Sequence, residues 1–224
     1  DGSGPAYTVN SIGIIYNKEA VGKEITEWSD LWDPALKGKI SIPDITSTFG
    51  PAMLYLASDY MNVDITSDKG AAAFEGITDL APNVVKTYSK SSDLANMFQS
   101  GEIVAAVVGD FAVPIISESN ATAEYVVPQS GTYANFNTIN INKNSKNKDL
   151  AYKYIEWRLS QEVQEKTAVS INEAPTNKNV VLEGETAENK TYGEVAERTK
   201  MVDSTFVNEN LQSWIDQWNR ILNN

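Results

Sequence analysis

The chain has 224 residues with neither Cys nor His, and its 18 Lys and Arg against 30 Asp and Glu give a net charge of −12. Without those two residue types, disulfides, thiol nucleophiles, imidazole-dependent triads and the usual zinc sites are excluded, and we expect neither a metal site nor a cofactor. The acidic balance, with no basic run, argues against nucleic acid as a partner. No apolar run reaches the ~18 residues of a membrane span.

Strands and helices alternate between residues 10 and 130. The run YTVNSIGIIYN is rich in β-branched and aromatic residues and predicts a strand, and EIVAAVVG is a nearly continuous apolar run, typical of a strand covered on both faces. This order predicts an α/β unit with a largely parallel sheet. The other elements expected here are helices at ITEWSDLWDPALKGK, PAMLYLASDYM, Asp68 to Gly76, SSDLANMFQSG and FAVPIISES, and strands at KISI, NVVKTY and AEYVV.

Residues 145–224 are mostly helical by the same criteria. Helices are predicted at KDLAYKYIEWRLS, SQEVQEKTA and NENLQSWIDQWNRILN. Since ANFNTININ is the one convincing strand for them to cover, the core of this region looks incomplete. The last helix has an apolar stripe that is either core or a docking face. The stripe consists of Leu211, Trp214, Ile215, Trp218, Ile221 and Leu222.

Five segments follow one another in a characteristic order: YTVNSIGIIYNKE, EWSDLWDPALKGKISIPD, SGEIVAAVVGD, NTININKNSKNKDLAYKYIEWRLSQEVQEK and NEAPTNK. Two moderately specific motifs occur among them, W-x-x-L-W-x-P-x-x-K-G-K at 28–39 and K-N-K-x-x-A-x-K-x-I at 146–155. In this order and spacing the chain resembles the extracellular solute-binding proteins of ABC importers, and within them the spermidine/putrescine-binding branch.

The resemblance implies a type 2 periplasmic-binding-protein-like α/β fold, in which two lobes close on a solute by hinge motion. Residues 14–130 would form one complete α/β lobe. Residues 1–13 and 131–224 would form the crossing segments and the C-terminal part of the other lobe, whose N-terminal part is absent. The implied function is capture of a small polar solute for an ABC transporter permease, not catalysis. The implied location is extracytoplasmic, in the periplasm or as a cell-surface lipoprotein, with membrane contact only through a lost anchor or the permease.

The loop in PDITSTFGPAMLYLAS is the first candidate site. Ligands of open α/β lobes bind beyond the carboxyl ends of strands, and this loop leads into a helix whose first N–H groups favour anionic or strongly polar ligands. Thr46, Ser47 and Thr48 would add hydroxyls, and Gly50 would permit a close backbone approach. Alternatively, one hydroxyl caps the helix and the others are solvated. Asp44 matches an acidic ligand contact of polyamine-binding relatives, although an Asp starting a turn is also ordinary.

Gly109 and Asp110, at the end of the EIVAAVV strand, form the second candidate. Polyamine-binding members typically hold a Trp at the position of Gly109, and Asn135 and Asn137 stand in place of a second aromatic and an acidic contact. The resemblance therefore implies that the aromatic box is lost. Asp110 either pairs with a cation or caps FAVPIIS.

The crossing strands supply the remaining candidates. Tyr133, Asn135 and Asn137 alternate, so the two Asn side chains share a face and either enter the cleft or bond within the hinge. Tyr7 and Asn10 carry the same two alternatives. Such a site would suit a small solute with anionic or hydroxyl groups, such as an amino acid, a phosphonate or a sugar derivative. The tryptophans interpreted as core are Trp28, Trp32 and Trp157.

Two other functions stay open at this point. Paired carboxylates such as Asp44 and Asp110 would allow a hydrolase that needs neither His nor Cys, although no spacing singles out this pair. Alternatively, the Trp-rich terminal helix would be the docking face of a cell-surface interaction domain.

Overall fold

A long first strand lies at the centre of the sheet in the computed structural model, which describes residues 4–223. This strand, β1, spans Ala6–Asn17. Its 12 residues are about twice the usual strand length, which allows one strand to serve two groups of neighbours. The other strands are β2 (Ile40–Pro43), β3 (Val84–Tyr88), β4 (Ala105–Gly109), β5 (Ala123–Val126), β6 (Thr132–Thr138), β7 (Ala174–Pro175) and β8 (Thr199–Met201).

β1 changes partners near its middle. From Ile12 onward it pairs antiparallel with β4 and β5, whereas the part before Ile12 pairs antiparallel with β6 and β7. β2 lies between β3 and β4 and is parallel to both, and the sheet order is β3-β2-β4-β1-β6-β8. β1 therefore connects two groups of strands, as a crossing segment does.

The helices are α1 (Lys18–Val21), α2 (Gly50–Tyr60), α3 (Ala71–Leu80), α4 (Ser91–Gln99), α5 (Val113–Ser119), α6 (Lys148–Arg158), α7 (Gln161–Ser170), α8 (Glu194–Glu197) and α9 (Ser204–Leu222). The helix predicted over ITEWSDLWDPALKGK is instead a pair of 3₁₀ turns, Trp28–Trp32 and Pro34–Leu36, because Pro34 cannot continue the first turn. α3 begins at Ala71 and not at Asp68, whose carboxylate accepts hydrogen bonds from two backbone N–H groups at the helix start. None of the helices in the described part of the chain is both long and apolar enough to cross a bilayer.

The sheet is covered on both faces around β4. On one face Ile14 and Val107 belong to a core that includes buried residues of α2 and α3, and on the other face Ile15 and Val108 pack with residues of α4 and α5. These four side chains are fully buried. β4 is thus a strand buried on both sides, as its continuous apolar run predicts.

The terminal helix α9 packs against α3 and β3. Trp214 and Trp218 are fully buried, and Nε1 of Trp214 donates a 2.9 Å hydrogen bond to the carbonyl oxygen of Lys69. The apolar stripe is therefore core, which does not favour the docking-face alternative. The predicted division assigns 131–224 to the other lobe, whereas α9 packs on the group of elements that contains α3. The division at residue 131 otherwise stays a prediction.

The part of the sheet around β6 and β7 has a small core. Its central cluster is Val9, Ala134 and Ala174, in line with the incomplete core indicated by the sequence. Trp157 was expected in the core, but its side chain is 56% exposed on α6, beside the ring of Tyr154. That prediction is wrong because the Trp157 face of α6 has no cover among residues 4–223.

Candidate functional site

A cavity of about 340 Å³ lies where β1 passes from one group of strands to the other, and we call it the junction cavity. Cavities of about 470 and 610 Å³ occur elsewhere in the described structure. We favour the junction cavity as the candidate site, although it is smaller, because predicted site residues from separate segments meet there. Its lining residues are Thr8 and Asn10 of β1, Thr48 and Phe49 before α2, Phe111 after β4, Asn135 and Asn137 of β6, and Ile171 and Glu173 around β7.

Asp110 lies beneath this cavity and is 1% exposed. Its Oδ1 accepts a 2.8 Å hydrogen bond from Nδ2 of Asn10, and its Oδ2 accepts from the backbone N and the Oγ1 of Thr191, at 2.8 and 2.6 Å. Burial raises the pKa of Asp110, while the hydrogen bonds from Thr191 and Asn10 oppose this rise. Asp110 thus joins the end of β4 to β1 and to the segment before α8.

A second hydrogen bond continues from Asn10 toward the cavity. Nδ2 of Asn137 donates to Oδ1 of Asn10 at 3.2 Å, and the two residues belong to the antiparallel pair of β1 and β6. Asn135 lies on the same face of β6 and also lines the cavity. The shared face predicted for the two Asn residues therefore places both of them at the junction cavity.

The hydroxyl-rich loop contributes one of its three hydroxyls. Thr48 lines the junction cavity, whereas Oγ1 of Thr46 donates to Asp44 and the buried Oγ of Ser47 has no hydrogen-bond partner. The reason is local, because Oδ1 of Asp44 accepts from both the backbone N and the hydroxyl of Thr46 and closes a turn. Gly50 permits a close approach within the loop itself, since a Cβ there would lie 2.1 Å from the carbonyl oxygen of Asp44.

Two predicted tyrosines lie outside the junction cavity. The hydroxyl of Tyr133 donates to Oδ2 of Asp59 at 2.9 Å, and burial raises the pKa of Tyr133. Tyr133 lines the 470 Å³ cavity instead. The ring of Tyr7 lies 4.6 Å from the guanidinium carbon of Arg158. The alternation of residues along a strand could not predict where the two tyrosine side chains lie, because their partners, Asp59 and Arg158, come from helices that are distant in sequence.

Aromatic rings enter the cavity from unexpected positions. Gly109 has no side chain, but a Cβ there would lie 2.5 Å from the ring of Phe111 and 2.9 Å from the ring of Phe49. Phe49 is buried and Phe111 is 45% exposed. The aromatic box expected to be lost at Gly109 and Asn135 is absent from those two positions, but Gly109 leaves room for two neighbouring Phe rings.

Glu173 is the charged residue that the sequence analysis missed in the cavity wall. It lies within the quoted segment NEAPTNK, but nothing in that segment signals contact with β1 and β6. Thr8 could have been predicted as a lining residue, because it shares a face of β1 with Asn10. Phe49 and Phe111 each directly follow a predicted site residue.

The carboxylates of Asp44 and Asp110 do not share a partner. Asp44 accepts from Thr46 and Thr87, whereas Asp110 accepts from Asn10 and Thr191. The arrangement does not favour the hydrolase alternative. No group of three or more acidic side chains that could hold a metal ion occurs among residues 4–223.

Residues 1–194 match the family described as bacterial extracellular solute-binding protein. A spermidine/putrescine-binding periplasmic protein from Haemophilus influenzae is 29% identical over 167 residues, which are 74% of this chain and 45% of that relative. The chain therefore spans less than half the length of this curated relative.

Solved structures agree with the fold. The structure of an ABC transporter from Clostridium perfringens is 58% identical, with a TM-score of 0.89 over 99% of this chain and 70% of that chain. A spermidine/putrescine ABC transporter substrate-binding protein from Streptococcus pneumoniae is 20% identical, with a TM-score of 0.78 over 96% of this chain and 68% of that chain. The predicted type 2 periplasmic-binding-protein-like α/β fold is confirmed, and the chain belongs to the bacterial extracellular solute-binding protein family.

Proposed function

We propose that this protein is the solute-binding component of an ABC import system, and that it holds a small polar solute in the junction cavity. The family description and the Clostridium structure support this role. The partner that receives the solute would be a membrane permease, and the protein would act outside the cytoplasm.

The observation that carries the proposal is the composition of the cavity wall. Thr48, Phe49 and Phe111 follow strands on one side of β1, whereas Asn137 and Glu173 belong to β6 and the β7 region on the other side. A solute touching both groups stabilises the arrangement that brings them together, because only that arrangement offers all of the contacts. Hinge closure on the solute would then present a defined surface to the permease.

Thermal unfolding with a panel of probe solutes tests the proposal. The probes are spermidine, 1,4-diaminobutane, glutamate, 2-aminoethylphosphonate and glucose, because a solute that binds the native state raises the melting temperature. We expect at least one probe to do so. The double variant Thr48→Ala/Asn137→Ala should lose the shift.

The matched control carries the same two kinds of substitution at exposed positions of α9, Thr205→Ala with Asn208→Ala, and should respond as the unaltered protein does. If no probe changes the melting temperature, or the cavity variant responds as strongly as the control, the proposal is wrong.

A further inference from the structure

We infer that Asp110 fixes the hydrogen-bonding polarity of the junction cavity, so that the bound solute must present N–H or O–H donors to Asn137. This inference rests on the proposed function and specifies the chemistry of the solute. Asp110 would be a positioning residue, because it reaches the cavity only through Asn10.

The fixed end of this chain of hydrogen bonds is the contact between Asp110 and Thr191. A backbone N–H can only donate, so Oδ2 of Asp110 must accept there. An ionised carboxylate is an acceptor at both oxygens, and therefore Oδ1 also accepts, from Nδ2 of Asn10. Lys190, which is 5% exposed, lies near Asp110: burial lowers the pKa of Lys190, and the attraction to Asp110 opposes that fall.

The side-chain amides of Asn10 and Asn137 then each have a single orientation. The amino group of Asn10 is committed to Asp110, so its Oδ1 faces Asn137 and accepts from Nδ2 of that residue. The Oδ1 of Asn137 lies on the other side of its amide group and accepts no hydrogen bond from any described residue. Without the carboxylate, either Asn could donate to the other, because the oxygen and the amino group of an amide are almost the same size.

Thr8 and Glu173 also offer acceptors to the cavity, whereas Thr48 and Asn135 can both donate and accept. The hydroxyl of Thr8 donates its proton to the carbonyl oxygen of Ala174 at 2.8 Å, which leaves only acceptor capacity toward the cavity. Glu173 adds a carboxylate that is paired with Arg158, which is not itself a lining residue. Phe49 and Phe111 provide the apolar surface. The wall thus suits a solute with amine or hydroxyl donors on an apolar segment, whereas the sequence suggested anionic or hydroxyl groups.

Replacing Asp110 by Asn would reverse the direction of donation in the hydrogen bonds that connect residue 110 with Asn10 and Asn137. The backbone N–H of Thr191 still requires an acceptor, so the Asn oxygen would face Thr191 and its amino group would face Asn10. Asn10 and Asn137 would each rotate by half a turn to preserve their hydrogen bonds. The amino group of Asn137 would then face the cavity, which would favour solutes with acceptors.

The first readout needs no solute. In protein labelled with ¹³C and ¹⁵N, scalar coupling across the hydrogen bond should connect Nδ2 of Asn137 with Cγ of Asn10. In Asp110→Asn the coupling should connect Nδ2 of Asn10 with Cγ of Asn137. Coupling in the reversed sense in the unaltered protein, or the same sense in both proteins, would overturn the inference.

The second readout is the ratio of the affinities for 1,4-diaminobutane and succinate, which have similar length and opposite hydrogen-bonding character. We expect the unaltered protein to prefer the diamine by about tenfold or more, and Asp110→Asn to reduce this ratio by about tenfold, as expected for one hydrogen bond to a charged group. Asn137→Ala should weaken diamine binding without improving succinate binding. A ratio that stays within about twofold in folded Asp110→Asn contradicts the inference. If the couplings are as predicted and none of the probe solutes binds, the proposed function has failed and the polarity assignment has not.

Discussion

Glu173 and Arg158 form an ion pair at the edge of the junction cavity. The Arg158 side chain is 9% exposed and its guanidinium lies over the ring of Tyr7, whereas the Glu173 side chain is 20% exposed. Tyr7 is therefore connected to the cavity through Arg158 and Glu173, although it does not line the cavity itself.

Glu173→Gln should lower both stability and solute affinity. It leaves the guanidinium of Arg158 largely buried without a counter-charge, and we expect a loss of about 1–3 kcal/mol in the free energy of unfolding. The measurement is urea denaturation. The control is Glu162→Gln on α7, whose partner Lys166 is also mostly exposed, and it should change stability by less than about 0.5 kcal/mol. Equal losses in the two variants would contradict the assignment of Glu173.

Thr48→Ala and Ser47→Ala should have different effects although the residues are adjacent. Thr48 lines the junction cavity, so its loss should weaken binding of an identified probe solute by about tenfold. The Oγ of Ser47 is buried without a partner, and Ser47→Ala should leave affinity unchanged and stability unchanged or slightly higher. Calorimetric titration measures both affinities, and a loss of binding confined to Ser47→Ala would refute this account of the loop.

Gly109→Ala should weaken solute binding by displacing the rings of Phe111 and Phe49. The added Cβ would lie closer to them than real Cβ contacts permit. Gly22→Ala provides the comparison, because Gly22 has a φ of 77° with nothing within 4 Å of an added Cβ. That variant should lose about 1 kcal/mol of stability and keep its affinity. Unchanged affinity in Gly109→Ala would show that the two rings do not define the site.

Trp214→Phe should destabilise the protein more than Trp218→Phe. Both side chains are fully buried, but Nε1 of Trp214 donates to the carbonyl oxygen of Lys69, whereas Nε1 of Trp218 has no hydrogen-bond partner. The first variant leaves a backbone acceptor unpaired, at a cost of about 1–3 kcal/mol beyond the loss of ring volume that both share. Chemical denaturation compares them, and the reverse order would be inconsistent with the packing of α9.

The pH dependence of the free energy of unfolding should show the raised pKa of Asp110. Burial raises the pKa of Asp110 in the folded state above the unfolded value of about 3.9. The native state then binds the proton more tightly, so the contribution of Asp110 to stability is most favourable below pH 3.9 and falls as the pH rises to the folded pKa. Asp110→Asn removes this contribution. We expect the difference in unfolding free energy, unaltered protein minus variant, to fall with pH over this window, and a rise would contradict the burial argument.

The sequence predicted the order of strands and helices well, because the determining patterns are local. The β-branched run of β1, the continuous apolar run of β4 and the helical stripe of α9 all correspond to elements of the structure. It could not predict which element covers an apolar face. Trp157 and Trp214 both lie in helices that the sequence predicts, yet one is exposed and the other is buried.

The candidate site was predictable in part for the same reason. Asn135 and Asn137 follow from the alternation of a strand, and both line the cavity. Glu173 and the link between Asp110 and Thr191 depend on contacts between residues far apart in the chain. The hydroxyl of Thr46, expected to face a ligand, has a near acceptor in Asp44.

The central claim is that the junction cavity binds a small solute between two groups of elements. The most direct test is a calorimetric titration of 1,4-diaminobutane into the unaltered protein, the Thr48→Ala/Asn137→Ala variant and the Thr205→Ala/Asn208→Ala control. We predict measurable binding to the unaltered protein and the control, and a loss of about tenfold or more in the cavity variant. Equal affinity in all three proteins would place binding elsewhere and contradict the account.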